Sequence, residues 1–277
     1  MFTPIIPVSA WRCGALALVS LLPLAAHAQF AQDFTSSSTV GDYASATPDN
    51  GQFNAIGGGG GVTWSISSGA LQLARTSTGA AWLDRTTDLG GAPLSALALS
   101  FDFRAVDITA SGATANSLVF YVGDGLTSSG TVPGAGTVHS QFAINLNNAT
   151  TDTWFLRNVG TATNSANSGT TSFLRVTFVV NNTGSALNYD VGGLSGTLAN
   201  DTFDLWLGTT RQFAGGAATD GGVALAEFKM RMGNQTGTLQ FDNFSVTAIP
   251  EPSTWAALFG IAALGVVMIR RRSRQSA

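Results

Sequence analysis

The chain is almost without thiols. Its one cysteine, Cys13, lies in an N-terminal stretch that reads as an export leader. The mature protein therefore has no disulfide, no cysteine nucleophile and no zinc–thiolate site. Histidine is nearly as scarce: His27 lies in the same leader, which leaves His139. A histidine-cluster metal centre is excluded, and a Ser-His-Asp triad would have to use that one residue. His139 follows a Gly-rich turn and opens a strand, which favours a structural or solvated role. Charge is sparse as well, at 10% of residues, with Glu227 the only glutamate and Lys229 the only lysine between residues 29 and 247. In that span eight basic side chains face fifteen acidic ones, a net charge of −7. An acidic body with scattered arginines argues against a nucleic-acid partner. No stretch of the body has convincing 3.6-residue apolar periodicity, so helices are not expected there.

What is present divides the 277 residues into two processing segments and a body. Residues 1–28 carry Arg12, an apolar run from Cys13 to Leu24, and Ala26-His27-Ala28, with small residues at −3 and −1 before Gln29. That is the pattern of a cleaved secretory signal. Cys13 stands at the start of the apolar run, after Ala10-Trp11-Arg12, which is not the placement of a lipid-attachment cysteine. At the other end Ile249-Pro250-Glu251-Pro252-Ser253-Thr254 leads into an apolar run, 255–269, and then Arg270, Arg271, Arg272 and Arg274. The two prolines end the preceding strand and stiffen the linker, since each fixes φ and lacks an N–H. As a helix, the run from Trp255 to Ile269 would rise about 22 Å, short of a ~30 Å hydrocarbon core. Trp255 at one interface and the arginines on the cytoplasmic side would supply the missing anchorage.

This tail closely resembles the PEP-CTERM sorting signal of exopolysaccharide-producing Gram-negative bacteria. Pro250, Glu251 and Pro252 match its motif, and the apolar helix and Arg-rich end come after it in order. The resemblance implies recognition by a membrane-embedded exosortase, cleavage near the motif, and a mature protein released or attached outside the cell. An ordinary tail anchor is the alternative reading, with the same topology: body outside, arginines inside.

The body, 29–247, alternates apolar and polar residues along most of its length. Val62–Ile66 and Leu71–Leu73 read as a hairpin around Ser67-Ser68-Gly69. Leu97, Leu99, Phe101 and Phe103 fall on one face of a long strand, with Asp102 turned to solvent. Ser117 to Val122, Gln141 to Leu146, Thr153 to Val159, Phe173 to Val180, Phe203 to Leu207, Val223 to Met232 and Thr238 to Val246 continue the series. About a dozen strands with turn signals between them predict an all-β, two-sheet antiparallel sandwich. A signal helix and a C-terminal hydrophobic helix would flank it. The five glycines from Gly57 to Gly61 suit a flexible loop; they lack the helix and lysine of a phosphate cradle.

Asp33-Phe34, Leu99-Ser100-Phe101-Asp102-Phe103, Val119 to Gly125 and Phe241-Asp242-Asn243-Phe244 make the body similar to a concanavalin A-like (laminin G-like) jelly roll. That fold starts and ends on adjacent strands, which would bring Asp33 near the Asp242 strand. Glycoside hydrolysis usually needs two suitably spaced carboxylates. With one glutamate and no acidic triplet on a strand, a catalytic role is not expected. Hard oxygen ligands suit calcium, and Asp33 and Asp242 are the candidates to tie the termini through it. Trp82, beside Asp84 and Arg85, and Trp154, near Asp152 and Arg157, are the candidate glycan-stacking rings, with a core role as the alternative. The resulting expectation is an exported matrix or surface protein that binds extracellular polysaccharide without acting on it. A purely structural matrix role, or a glycan hydrolase or lyase, are the alternatives.

Overall fold

The computed structural model describes residues 28–250 except 88, 90–91, 110–115, 148–152 and 170. The export leader up to residue 27 and the apolar run 255–269, both expected as helices, lie outside the described residues, while Ala28, placed at the leader's end, opens the first strand. Among those described, no helix is long and apolar enough to cross a membrane.

In chain order the first strands are β1 (Ala28–Gln32), β2 (Ala55–Gly58), β3 (Val62–Ser67), β4 (Ala70–Arg75), β5 (Ala81–Arg85) and β6 (Ala96–Ile108). Next come β7 (Leu118–Gly123), β8 (Val138–Asn147), β9 (Thr153–Asn158), β10 (Thr163–Gly169) and β11 (Leu174–Asn181). The last are β12 (Leu187–Val191), β13 (Leu194–Leu198), β14 (Thr202–Leu207), β15 (Thr210–Ala217), β16 (Glu227–Met232) and β17 (Gly237–Ala248). The first sheet runs β15-β14-β11-β6-β17-β4-β3, with β1 also on β17. The second runs β10-β9-β8-β7-β16-β5-β2, and β12–β13 is a separate hairpin. The body is thus an all-β sandwich of two antiparallel sheets.

Period-two alternation explains why the sheets face each other. Leu97, Leu99, Phe101 and Phe103 of β6 are buried against Leu118, Phe120 and Val122 of β7 and Phe142, Ile144 and Leu146 of β8 in one core. Phe101 stacks on Phe120 at 4.4 Å, and Phe120 on Phe142 at 5.0 Å. The predicted β3–β4 hairpin is present; Ser68 and Gly69 both have positive φ, the turn geometry that matches strand twist. The glycine run is not wholly a loop, because Gly57 and Gly58 belong to edge strand β2. A side chain would not fit there: a Cβ at Gly57 would lie 2.5 Å from the Trp82 ring, and one at Gly58 2.2 Å from Val62.

β1 pairs antiparallel with the end of β17, so the described chain begins and ends on neighbouring strands, as the jelly-roll resemblance implies.

Candidate functional site

β17 contains one irregularity, and the site grows from it. Asp242 pairs with Asp102 and Ser245 with Ser100, so β17 holds an additional residue between those rungs. This is a β-bulge, with Asn243 at φ 50°, a left-handed conformation that asparagine tolerates. The bulge lets both Phe241 and Phe244 enter the core and turns the Asn243 carbonyl outward. Arg175 on β11 collects around it, donating to Asn243 O (2.7 Å), Ser100 Oγ (2.6 Å) and, more weakly, Asp102 Oδ1 (3.4 Å). Asn243 Nδ2 donates to Asp102 Oδ2 at 2.8 Å. Asp102 is therefore half-buried and bonded, not solvated as the alternation suggested.

Gln32, the residue before Asp33, pairs with Phe244, so Asp33 comes close to the bulge. The Asp242 carboxyl is pushed above the usual range by burial, and further by the Asp102 and Asp33 charges; the Asn243 amide and Arg175 oppose this. Asp33 Oδ1 accepts from the hydroxyl and amide of Thr35, at 2.9 and 3.2 Å. Among the described residues no group of three or more His, Cys, Asp or Glu side chains is placed to hold a metal ion. The positive charge standing beside these carboxylates is Arg175.

Arg175 and Ser245 also divide two depressions on the outer face of the first sheet. The smaller, ≈ 370 Å³, is lined by Ala31, Gln32, Asp33, Asn243 and Phe244 as well. The larger, ≈ 550 Å³, has Ser100, Thr177, Ser245 and Thr247 on its floor, Asp190, Val191, Gly192 and Leu194 on one wall, Gly208 and Thr209 on another, and Ala248 to Pro250 at its rim. Together they form a groove presenting hydroxyls, two amides, two carboxylates and a guanidinium.

The β12–β13 hairpin builds the wall. Gly192 and Gly193 both have positive φ and make its tight turn. Leu187, Tyr189, Leu194 and Leu198 bury against Ala96, Ala98, Val179, Trp206 and Ile249, a second small core outside the sheet. Tyr189 pins it: its hydroxyl donates to Asp204 Oδ2 (2.5 Å) and accepts from Trp206 Nε1 (3.1 Å), while Arg211 reaches Asp204 at 3.1 Å. Burial and the neighbouring carboxylate push the Tyr189 phenol well above its ordinary value.

The second sheet's outer face is covered by the irregular segment 124–137. Lys229, fully buried, donates to Thr127 O (2.7 Å) and Thr131 O (3.0 Å), and Arg231 to Gly130 O (2.6 Å). Glu227 Oε2 accepts the Leu126 amide at 2.5 Å, and Ser128 Oγ donates to buried Asp84 at 2.6 Å. Burial drives Asp84 up and Lys229 down, each toward its neutral form. The single glutamate of the body thus contacts the cover.

The two candidate tryptophans separate. Trp154 does not meet the surface: it is 0% exposed, edge-on to Phe103 at 4.7 Å, with Gly169 against its ring. Its polar sequence neighbours misled, because alternation sends Phe155 and Arg157 outward and Trp154 inward. Trp82 is half-buried between Gly57 and Gly130, far in the fold from the groove, on the other sheet. His139 is fully buried, with Nδ1 2.9 Å from Ser140 Oγ and Nε2 3.7 Å from Asp201. These are the residue types of a triad, but Ser140 is itself fully buried, so its hydroxyl meets no substrate.

The groove's rim is also where the chain leaves the fold. Ile249 is 7% exposed and its amide donates to Ala96 O at 3.0 Å, so ordered pairing continues to the residue before Pro250. Residues 248–272 match the PEP-CTERM protein-sorting motif. The chain carries a PEP-CTERM tail. Such a tail implies exosortase-targeted export, and its Pro250 lines the groove. Glu251, Pro252, Arg270, Arg271, Arg272 and Arg274 lie outside the described residues.

No curated protein matches the chain. Among solved structures it is similar to a sialidase (10% identity, 70% of this chain and 16% of that one, TM-score 0.47). It is also similar to a carbohydrate esterase of Shiga toxin-encoding bacteriophage phi24B (11% identity, 80% and 99%, TM-score 0.49). A third is the Emp46p carbohydrate recognition domain (11% identity, 69% and 87%, TM-score 0.41). The chain spans only 16% of the sialidase's length. At these identities the likeness concerns fold and says nothing of ligand or activity.

Proposed function

We propose that the protein is an exported, exosortase-processed surface or matrix component whose concanavalin A-like sandwich binds an extracellular polysaccharide, without catalysis, along the outer groove of the first sheet. The observation that carries this is the groove's composition: Ser100, Thr177, Ser245, Thr247 and Thr209 with Asp190, Asp33, Asn243 and Arg175. Sugars are recognised by such planar polar groups and hydroxyls, and an elongated depression suits a polymer. A body of net charge −7 with acidic groove ends fits a neutral polymer better than a carboxylated one.

Calcium at Asp33 and Asp242 belongs to the proposal as a tie between β1 and β17; there it shares the site with Arg175. Affinity electrophoresis of the exported protein in the producer's own exopolysaccharide tests both parts, run with calcium and with chelator. Retardation that weakens in Asp190→Ala is the expected result. Loss of retardation in chelator supports the calcium tie, whereas indifference to chelator removes it. No retardation in either condition overturns glycan binding. It would favour a purely structural matrix role, for which one observation already speaks: among the described residues none that lines the larger depression is aromatic.

A further inference from the structure

The polar surface of the first sheet does not end at the two depressions. Two residues along the strands from the Asp102–Arg175 pair, about 7 Å away, stands another row of side chains. Leu174 pairs with Phe103 at the start of β11, which sets Phe173 opposite Arg104. The Arg104 guanidinium lies 4.5 Å from the centroid of the Phe173 ring. Arg104 Nε donates to Gln240 Oε1 at 2.8 Å, and Gln240 Nε2 donates to Gln72 Oε1 at 2.8 Å. A ring, a guanidinium and two amides thus line up across β11, β6, β17 and β4, three strand spacings or about 14 Å. Arg175, which lines both depressions, is two residues from Phe173, so row and groove are one continuous surface.

The direction of these bonds leaves the row open at both ends. Arg104 and Gln72 are partly exposed, and among the described residues neither the Arg104 Nη groups nor Gln72 Nε2 meets an acceptor. Phe173 is 36% exposed, more than any other aromatic side chain among the described residues. The cation on one face fixes the ring's tilt, and what solvent reaches is the other face and the edge. Val106, two residues beyond Arg104, is exposed as well. Two such side chains fall far short of a protein interface, which buries about 800 Å² per partner. A sugar ring, apolar on one face and rimmed by hydroxyls, matches a single aromatic plane with open donors beside it.

We infer that Phe173, held by Arg104, is the stacking platform for one sugar unit of the polymer, and that the Arg104–Gln240–Gln72 row carries neighbouring units across the sheet. The inference rests on the reading in which the outer face of the first sheet binds polysaccharide. It supplies the aromatic contact that the larger depression does not offer.

Affinity electrophoresis of the exported protein in the producer's own exopolysaccharide separates a ring from mere bulk. Phe173→Leu keeps apolar volume without a plane and is expected to weaken apparent affinity about tenfold, the size of one aromatic contact. Phe173→Trp is expected to hold or tighten it. Gln72→Glu keeps the acceptor for Gln240 but removes the open donor, with an expected loss of about threefold. Melting temperatures within a few degrees of the unsubstituted protein are expected for all three, since none opens the core. Unchanged retardation of Phe173→Leu overturns the inference; if Asp190→Ala still weakens binding, the groove reading survives without it. No retardation of the unsubstituted protein overturns both together. An effect of Phe173→Leu with Gln72→Glu unaltered keeps the platform and overturns the row. Sedimentation velocity is run in parallel: self-association that Phe173→Leu abolishes would assign the ring to a contact between copies and overturn the platform.

Discussion

On the outer face of the first sheet the cover is a hairpin that packs apolar side chains and stops short, leaving the Ser100–Thr177 floor open to a groove. On the outer face of the second, segment 124–137 lies over Lys229 and Asp84 and hands its carbonyls to Lys229 and Arg231. Both faces hold charged groups bonded within the chain, but they differ in how far those groups are covered. Under the segment the donors meet backbone carbonyls of the same chain, so the polar chemistry is internal and structural. In the groove Arg175 is likewise bonded within the chain, to Asn243 O and Ser100 Oγ, but Asp190 and Thr209 are exposed and Ser245 and Thr247 are partly so. Polar composition alone does not distinguish the two faces; the room in front of the polar groups does.

The largest effect that would break this contrast lies under segment 124–137. Lys229→Met leaves two carbonyls without their donor and Asp84 without its nearby cation. It is expected to cost about 3 kcal/mol, read as a lower urea midpoint, while polysaccharide retardation persists in the folded fraction. Unchanged stability would show that the second face is no more structural than the first. Next comes the hairpin of the first face. Tyr189→Phe removes the hydroxyl that joins Asp204 and Trp206 and is expected to cost about 1–2 kcal/mol. Faster amide exchange confined to β12 and β13 would locate the loss.

A smaller, pH-dependent effect tests the buried His139 beside both sheets' margins. Burial holds its imidazole below the ordinary range, partly countered by the Asp201 and Asp220 carboxylates. The unfolded chain therefore takes up the proton first. Stability is full above the ordinary imidazole pKa of about 6.5 and declines as pH falls below it. His139→Asn should remove this share of the decline in melts run from neutral to mildly acidic pH; an unchanged profile would assign it elsewhere. Asp84, whose proton is held more firmly in the fold, acts in the opposite sense at the lower pH of carboxylates. The smallest stability change belongs to the groove. Asp190→Ala at an exposed wall is expected to shift stability by no more than about 0.5 kcal/mol. If it also leaves retardation untouched, the groove is not the binding face.

The sandwich was legible because alternation is a direct imprint of two-sided strands: β6, β7, β8, β11, β14 and β17 were all visible as apolar rows. β12–β13 was not, since Leu187-Asn188-Tyr189 and Leu194 to Leu198 are short and carry glycine and serine between their apolar positions. They pack on a sheet's outer face, where periodicity gives no warning of a cover. Asp33 and Asp242 were brought together as the jelly-roll resemblance implied, but Arg175, the cation beside them, stands on a strand far away in sequence. One signal could have pointed to the bulge. Phe241 and Phe244 are both apolar at an odd spacing, and a strand can bury both only by inserting a residue. The tryptophans show the limit of flanking polarity as a guide: Trp154 has Arg157 nearby and is still core. The sorting motif was readable because it is a linear pattern that does not depend on the fold.

β17 is also the strand through which the whole body is held. Along one side it pairs with β6 for nearly its entire length; along the other it pairs first with β4 and then with β1. Tension entering at Ala248, from a tail still fixed in a membrane or a wall, runs along the strand axis and meets these rungs in shear, many sharing the pull at once. β1 by contrast pairs among the strands with β17 alone, over a few rungs, so a pull at its start meets far fewer of them. The fold thus has a strong end and a weak one, and the sorting tail is attached to the strong end.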